Sequence, residues 1–449
     1  MKIATWNVNS VRARLERLLA RLQPREKIAA PMSICTPLVG CAVVAISFLC
    51  SMAPANEPKA VPDAKWDAVF DRTSGWTGGD VVGSVDLGHG RVLWLFGDTW
   101  IGEVAEGAHS PGSRMANNSM GLHVGDSCKP GDPPAPSEIR FYWGKNDAAG
   151  HPTAWIVPDP LRVKGSTKTT DPEHPHGWYW PTGGAAVVLG PHGKPCLLVF
   201  LFHVGKAEGQ AGVWAFKSLG GALAVIDNFD QPVEKWRVEQ HDIPYAISTD
   251  MAKADTGLRE TSWGMAALWQ PADAKNAPGG LYVYGIRNQS PLNRQLLLAR
   301  VPADAVDQPG KWRFYADSGQ WSGRLQDATP VAEDLVNELS VEEYVVEGRP
   351  LLIMVHSEPL LGRHIFVRTA SRPEGPWTRP MPVYSVPEVD RRRTYFTYAA
   401  KGHLQLSRQG ELLISYVVNS HDFRAMFQDA TIYRPRFISI PLPRHAGAW

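Results

Sequence analysis

Three observations predict an all-β fold, specifically a five-bladed β-propeller. Five stretches share one design: a small or polar start, an apolar strand, a turn marked by Gly or Pro, a second apolar strand and a polar finish. A Trp-centred phrase recurs between them, as QPVEKWR at Trp236, QPGKWR at Trp312 and PEGPWTR at Trp377. The 449 residues include Gly 41, Pro 37 and Trp 17, a composition suited to turns and half-buried sheet surfaces. A β-sandwich with repeated turns is the alternative, and the recurrence of the Trp phrase argues against it.

Charge and composition narrow the function classes. Lys+Arg 46 against Asp+Glu 45 leaves a net charge of +1, which argues against a nucleic-acid binder held by bulk electrostatics. With 44% hydrophobic and 20% charged residues the chain reads as globular, not disordered. Five Cys are too few for a disulfide scaffold.

In chain order, residues 1–31 read as a spurious or fused leader, 32–55 as a signal peptide, and 56–449 as a single five-bladed propeller domain. The run from Pro37 to Leu49 is apolar and is followed by Ala53-Pro54-Ala55, the pattern of a secretory h-region and its cleavage site. It is shorter than the roughly 20 residues a membrane span needs. The mature protein is therefore expected to be secreted or periplasmic, with no stable membrane span, and to be a monomer. Cleavage after Ala55 removes Cys35, Cys41 and Cys50, leaving Cys128 and Cys196 as a pair that an oxidising compartment would allow.

The five hairpins are Gly79–Trp100, Pro181–His203, Ser262–Asn288, Asn337–Glu358 and Thr397–Asn419. The segment Trp66–Phe70 is expected to close the ring as the last strand of the final blade, and Ala328–Leu335 to form one or two helical turns. In a propeller the two ends of each hairpin lie at one mouth of the central channel. The first hairpin puts Asp80 and Asp98 there, nine residues on either side of His89. These carboxylates should face each other across neighbouring strands. A carboxylate pair in such a place is expensive to keep ionised, so one pKa should rise, as acid/base work on a glycoside requires. The fourth hairpin opens on Glu338, a candidate general acid, and closes on Glu358, which reads as a loop residue.

The corresponding ends of the other hairpins carry Trp180 and His203, Trp263 and Arg287, and Tyr398 and Asn419. Aromatic faces suit the C–H surface of a sugar ring, and Arg and Asn suit its hydroxyls. Asn118, in Asn117-Asn118-Ser119, is a further candidate for holding substrate, with a simple turn as the alternative. His174 and His176 have no partner at a metal-ligand spacing, so no metal site is assigned. No cofactor is expected, although a calcium ion on the axis is left open. Arg391-Arg392-Arg393 reads as a solvated loop.

Two resemblances attach to these residues. The opening MKIATWNVNSVRARLERLLARL is similar to the amino terminus of the exonuclease III family, with Asn7 at the position of its active-site asparagine, but the likeness ends there. From about Asp71 to Pro441 the chain resembles a family of secreted bacterial proteins known as a domain of unknown function. It is also similar to the five-bladed propellers that include endo-D-arabinanases. The carrying residues are Gly79-Asp80, Leu95-Phe96-Gly97-Asp98-Thr99, Asn118-Ser119, Trp263-Gly264, Asn337-Glu338 and Tyr433-Arg434-Pro435-Arg436-Phe437. The arabinanase-like group implies a catalytic acid pair at Asp80 and Asp98. The broader resemblance to family 43 glycoside hydrolases implies Asp80 as base and Glu338 as acid. Its third-blade tuning Asp is replaced here by Ser262-Trp263, and Asp98 is the candidate substitute or the proton donor itself. The expected activity is hydrolysis of a polysaccharide or oligosaccharide, the resemblance pointing to one containing arabinofuranosides, with no nucleic acid as partner. Inversion is expected if the Asp80 and Glu338 carboxyls lie roughly 6.5–9.5 Å apart. A non-catalytic carbohydrate-binding propeller is the alternative, and an exodeoxyribonuclease III-like fragment a remote one.

Overall fold

The computed structural model of the chain describes residues 59–123, 130–161, 169, 171–190, 193–210, 215–253, 257–271, 279–290 and 293–445. The leader, the signal segment and Cys128 lie outside the described residues.

The described chain is all-β and forms six sheets, with all five expected hairpins present. We label the first strands of the five main sheets β1 (Gly83–Gly88), β2 (Trp178–Leu189), β3 (Thr261–Gln270), β4 (Leu339–Val346) and β5 (Tyr395–Gly402). In the first four main sheets the chain adds strands outward as an antiparallel meander. β1 pairs with Arg91–Phe96, and Ser119–His123 and Ile139–Tyr142 follow. β2 to β4 begin meanders of four, five and four strands. β5 pairs with Glu411–Ser420, then Pro435–Pro441, and the outer strand is Val61–Pro62 from the start of the chain. A sixth, smaller sheet joins Ser74–Gly79 to Thr99–Ala105 and two short strands.

Apolar cores lie between successive main sheets. Leu93 and Leu95 pack with Val199 and Leu201, joining sheets one and two. Phe200 packs with Trp263 and Val283, Tyr284 with Leu339 and Met354, and Val355 with Ile414. Trp94 and Phe96 pack with Val417 and Phe437, joining sheet five back to sheet one. The five main sheets thus follow one another in a closed circuit. This explains why second strands such as Pro195–Lys206 are buried on both faces and read as continuous apolar runs rather than alternating ones.

The inner strands touch around the same circuit. Gly83 of β1 lies against Gly183 of β2, where a Cβ would overlap the opposite backbone. Thr182 donates to the Gly264 carbonyl, and Gly402 N–H donates to Ser340 Oγ at 2.8 Å. Ser84 Oγ meets His403 Nδ1 at 2.6 Å. The Trp phrases at Trp236, Trp312 and Trp377 each stand just before the fourth strand of a sheet, so the repeat read in sequence marks one position of a repeated unit.

Two expectations are corrected. Trp66–Phe70 is not a strand: Ala64–Phe70 is a helix, α1, and the closing strand is Val61–Pro62, paired with Ser439 and Ile438. Asp63 caps α1 by accepting from Trp66 N–H at 3.3 Å, and Trp66, Val69 and Phe70 form its buried face. Ala328–Leu335 is not helical: Ala328 bridges to Ala316, Ala332 bridges to Leu296, and the backbone bends at Asp334 with φ 58°. Among the described residues no helix is long and apolar enough to cross a membrane.

Phe70 is fully buried and touches both ends of the circuit, Trp94 at 5.0 Å between ring centroids and Phe437 at 5.4 Å. Phe70→Ala should therefore lower unfolding stability by about 3–5 kcal/mol. The check is a lower urea midpoint with an unchanged slope.

Candidate active site

The inner strands run in parallel directions around the circuit, so their starts gather at one end. Asp80 stands just before β1, Glu338 just before β4, Trp180 in the first turns of the pleat of β2, and Tyr398 in those of β5. Asp80 and Asp98 lie where the ladder of the small sheet gives way to that of sheet one. Asp80 N–H donates to the Asp98 carbonyl at 3.3 Å, and Gly97 N–H to the Asp80 carbonyl at 3.2 Å. The two acids therefore face each other as their spacing predicts.

The backbone holding Asp80 is unusual. Val82 N–H closes a three-residue turn onto the Asp80 carbonyl at 2.8 Å, with Val81 at φ 68° and Val82 at φ 51°. A β-branched residue in the left-handed region is disfavoured by roughly 1–3 kcal/mol. Burial of both valine side chains holds it in place. Ala399, next to Tyr398, has φ 56°, and Tyr433 has φ 57°. Such strain gathers at sites where side-chain direction matters more than local comfort.

Oδ2 of Asp80 accepts two hydroxyl hydrogen bonds, from Tyr398 at 2.7 Å and Tyr433 at 2.8 Å. Asn419 Nδ2 donates to the Tyr398 hydroxyl at 3.1 Å and fixes it. Burial raises the Asp80 pKa, while the two hydroxyls and the charge of Lys401 oppose the rise. Oδ1 of Asp98 accepts Trp180 Nε1–H at 2.7 Å and a longer bond from Asn117 at 3.5 Å. Burial and then the charge of Asp80 push Asp98 up to about 8. Glu338 accepts no side-chain hydrogen bond among the described residues, and burial pushes it up to about 7, against the lowering influence of Lys401. Three acids in one small region thus have unequal support, with only Asp80 held by hydroxyl donors on its anion.

Asp80, Asp98, Glu338, Trp180, Tyr398 and Asn419 are brought together as expected, although Trp180, Tyr398 and Asn419 act first on the acids or on each other. Four candidates are placed elsewhere. Trp263 is buried in the core between sheets two and three, against Trp312 and Phe314, and donates Nε1–H to the Tyr245 carbonyl. Arg287 spends its guanidinium on Gln295 Oε1, at 3.0 and 2.9 Å, and on the Ala328 carbonyl at 3.2 Å. The His203 ring meets the His176 carbonyl at 2.8 Å and packs on Tyr179, anchoring a loop. Asn118 is fully buried and ties Ile156 and the Tyr179 carbonyl by three hydrogen bonds, a structural strut. Glu358 accepts from the backbone of Arg363 and His364, the loop role expected of it. Arg391, Arg392 and Arg393 are exposed, also as expected.

Three residues of the site escaped the sequence reading. Asn117 is one position from the candidate chosen. Tyr433 depends on a left-handed backbone that no local pattern announces. Lys401 is a buried cation whose signal was its place among Ala399, Ala400 and Gly402 in an apolar strand. Below the acids a cavity of about 400 Å³ follows the axis, with Gly83, Gly183, Leu339, Glu342 and Lys401 on its wall. Among the described residues no group of three or more His, Cys, Asp or Glu side chains is placed to hold a metal.

The chain belongs to the family described as a domain of unknown function, DUF5005, whose profile matches residues 63–442. No curated protein matches it. A crystal structure from Bacteroides ovatus ATCC 8483, provisionally described as a hydrolase, is similar over 85% of this chain and 93% of its own, with 19% identity and a TM-score of 0.61. That likeness concerns the fold. The GH43_1 enzyme from Xanthomonas citri complexed with xylotriose overlaps 86% of this chain and 96% of its own at 11% identity, with a TM-score of only 0.40, too slight to argue from.

The raised acids have a consequence for stability. A carboxyl whose folded pKa lies above its unfolded value favours folding below the unfolded pKa, and that contribution is lost as pH rises through the folded pKa. For Asp98 the window runs from 3.8 to about 8. Asp98→Asn cannot ionise, so its melting temperature relative to the parent should rise from pH 5 to about pH 8 and level off above that. Thermal melts of both proteins across that range provide the check.

Proposed function

We propose that this protein is a glycoside hydrolase acting on a polysaccharide or oligosaccharide by acid/base catalysis at the end of the circuit where Asp80, Asp98 and Glu338 meet. The five main sheets are read as the blades of a five-bladed β-propeller, and the small sixth sheet as a decoration of its first blade. The observation that carries the reading is the unequal support of the three acids. Two tyrosine hydroxyls on Oδ2 favour the Asp80 anion against the burial that raises its pKa, and neither Asp98 nor Glu338 has a hydroxyl donor of that kind among the described residues. Asp80 is therefore the general base. Glu338, raised to about 7, keeps a substantial protonated fraction near neutrality and is the proton donor. Asp98, raised to about 8, stays largely protonated and limits the negative charge around Asp80. Water activated by one acid while another protonates the leaving group gives inversion where the two carboxyls stand roughly 6.5–9.5 Å apart.

Arabinofuranoside-containing glycans are the first substrates to try, on the resemblance of Gly79-Asp80 and Gly97-Asp98-Thr99 to arabinanase-like propellers. The protein is proposed to act as a monomer after export, on the pattern of Pro37–Leu49 and Ala53-Pro54-Ala55. One observation favours a second reading, a non-catalytic carbohydrate-binding propeller: the third sheet contributes no acid, since Trp263 is in the core.

Reducing-sugar release across plant, algal and mycobacterial polysaccharides separates the two readings. The parent should release sugar from at least one. Asp80→Asn should lose about 10²–10⁴-fold in rate, and Glu338→Gln a comparable amount on substrates with poor leaving groups, both with unchanged melting curves. Binding without release on every glycan would favour the second reading, and a fully active, folded Asp80→Asn protein would remove Asp80 from the mechanism.

A further inference from the structure

Lys401 is 2% exposed, and its Nζ is buried with no hydrogen-bond partner among the described residues. Burying an ammonium without hydrogen bonds is expensive, and an apolar side chain of the same length would fill the space at lower cost. The fold nevertheless makes specific room for it. β5 carries a bulge between Tyr398 and Lys401, with Ala399 in the left-handed region. In a regular strand residues three apart point to opposite faces, and a bulge changes that parity. Tyr398 can therefore reach Asp80 while Lys401, three residues on, enters the same axial region. Its stem then crosses to β2, where a side chain on Gly183 would overlap Lys401 Cε. β1 lies between β2 and β5 in the circuit, so the lysine bridges strands that are not neighbours.

The groups around this ammonium are unequal. Burial lowers the Lys401 pKa, and Glu338 and Asp80 are the two charges that oppose this by favouring its protonated form. His403, two residues on, has its ring nitrogens at Ser84 and Ser415 and is held down to about 3, hence neutral. Tyr398 and Tyr433 are raised and neutral, and Asp98 is raised. Glu342, farther along the axis, is raised to about 7 and accepts the Leu404 N–H.

We infer that Lys401 is a positioning residue for the proposed hydrolysis: its ammonium, laid across the axis beyond hydrogen-bond reach of either acid, favours by its charge the ionised member of the Asp80–Glu338 couple and so fixes which acid is the base and which the proton donor. It takes the tuning role for which the third sheet offers no acid. The inference rests on the glycosidase reading for its purpose, but the charge coupling itself is measurable without a substrate.

The test is carboxyl ¹³C titration of the full chain labelled in Asp and Glu, with Asp80→Asn and Glu338→Gln used for assignment. Lys401→Met keeps the stem and removes the charge. The midpoints of Asp80 and Glu338 should both rise, by about 1 unit or more for at least one of them. On any glycan the parent hydrolyses, the acidic limb of the kcat/KM profile should rise with the Asp80 midpoint, a displacement that mere loosening of the fold would not give. Midpoints unmoved in a folded Lys401→Met protein would overturn the inference. If that variant does not fold, ¹⁵N titration of Lys401 in the parent decides: an ammonium still charged at pH 7 supports the inference, and a neutral amine overturns it. Unmoved midpoints in a protein that hydrolyses glycans remove Lys401 alone. Moved midpoints in a protein that hydrolyses none remove the glycosidase reading and leave the charge coupling.

Discussion

The hydroxyl bonds from Tyr398 and Tyr433 to Oδ2 of Asp80 span 318 and 353 residues of sequence. They join the first main sheet to the last, so they form only when the circuit of sheets has closed. The same junction holds the aromatic core of Trp66, Phe70, Trp94 and Phe437 and the strand Val61–Pro62 beside Pro435–Pro441. Arg434, next to Tyr433, is buried and donates to the Thr77 carbonyl at 2.9 Å and to Asp71. Closure of the ring and assembly of the acid site are thus one structural event. The entropy of bringing distant segments together is met largely by apolar burial at that junction, and the hydroxyl bonds give it direction rather than most of its stability.

Charge near the axis is managed by a few neighbours. Low water access raises every carboxyl there, and each acid has a different escape. Asp80 has hydroxyl donors, Asp98 has an indole N–H, and Glu338 has only the distant help of a cation. Identical chemistry placed in unequal surroundings yields unequal proton affinities, which is what a base and a proton donor working together require. Val81, Val82, Ala399 and Tyr433 in the left-handed region are the backbone counterpart of this arrangement. Their strain is local, whereas the cores that hold them extend around the whole circuit.

The five hairpins were legible because their determinants are local. Gly and Pro turns, β-branched and aromatic strands and polar ends act within some twenty residues, and all five appear where the pattern put them. The pairing of Asp80 with Asp98 was legible for the same reason, since a hairpin sets its own facing residues. Glu338 followed from its position at a strand start. Local pattern misled where a short apolar segment had two uses: Trp66, Val69 and Phe70 suit a buried helical face as well as a strand, and the Asp63 cap decided for the helix.

By itself, the sequence determined the class of fold, the hairpins and which acids stand at strand starts, because alternation and turn chemistry need no distant partner. Only the tertiary structure decided what those strand starts face. Trp263 went to a core, Arg287 to Gln295, and Asn118 to a strut, while Tyr433 and Lys401 entered the site. The physical reason is parity. A single bulge or left-handed residue turns every later side chain of a strand to the other face, and its energy is set by packing against sheets that come from elsewhere in the chain.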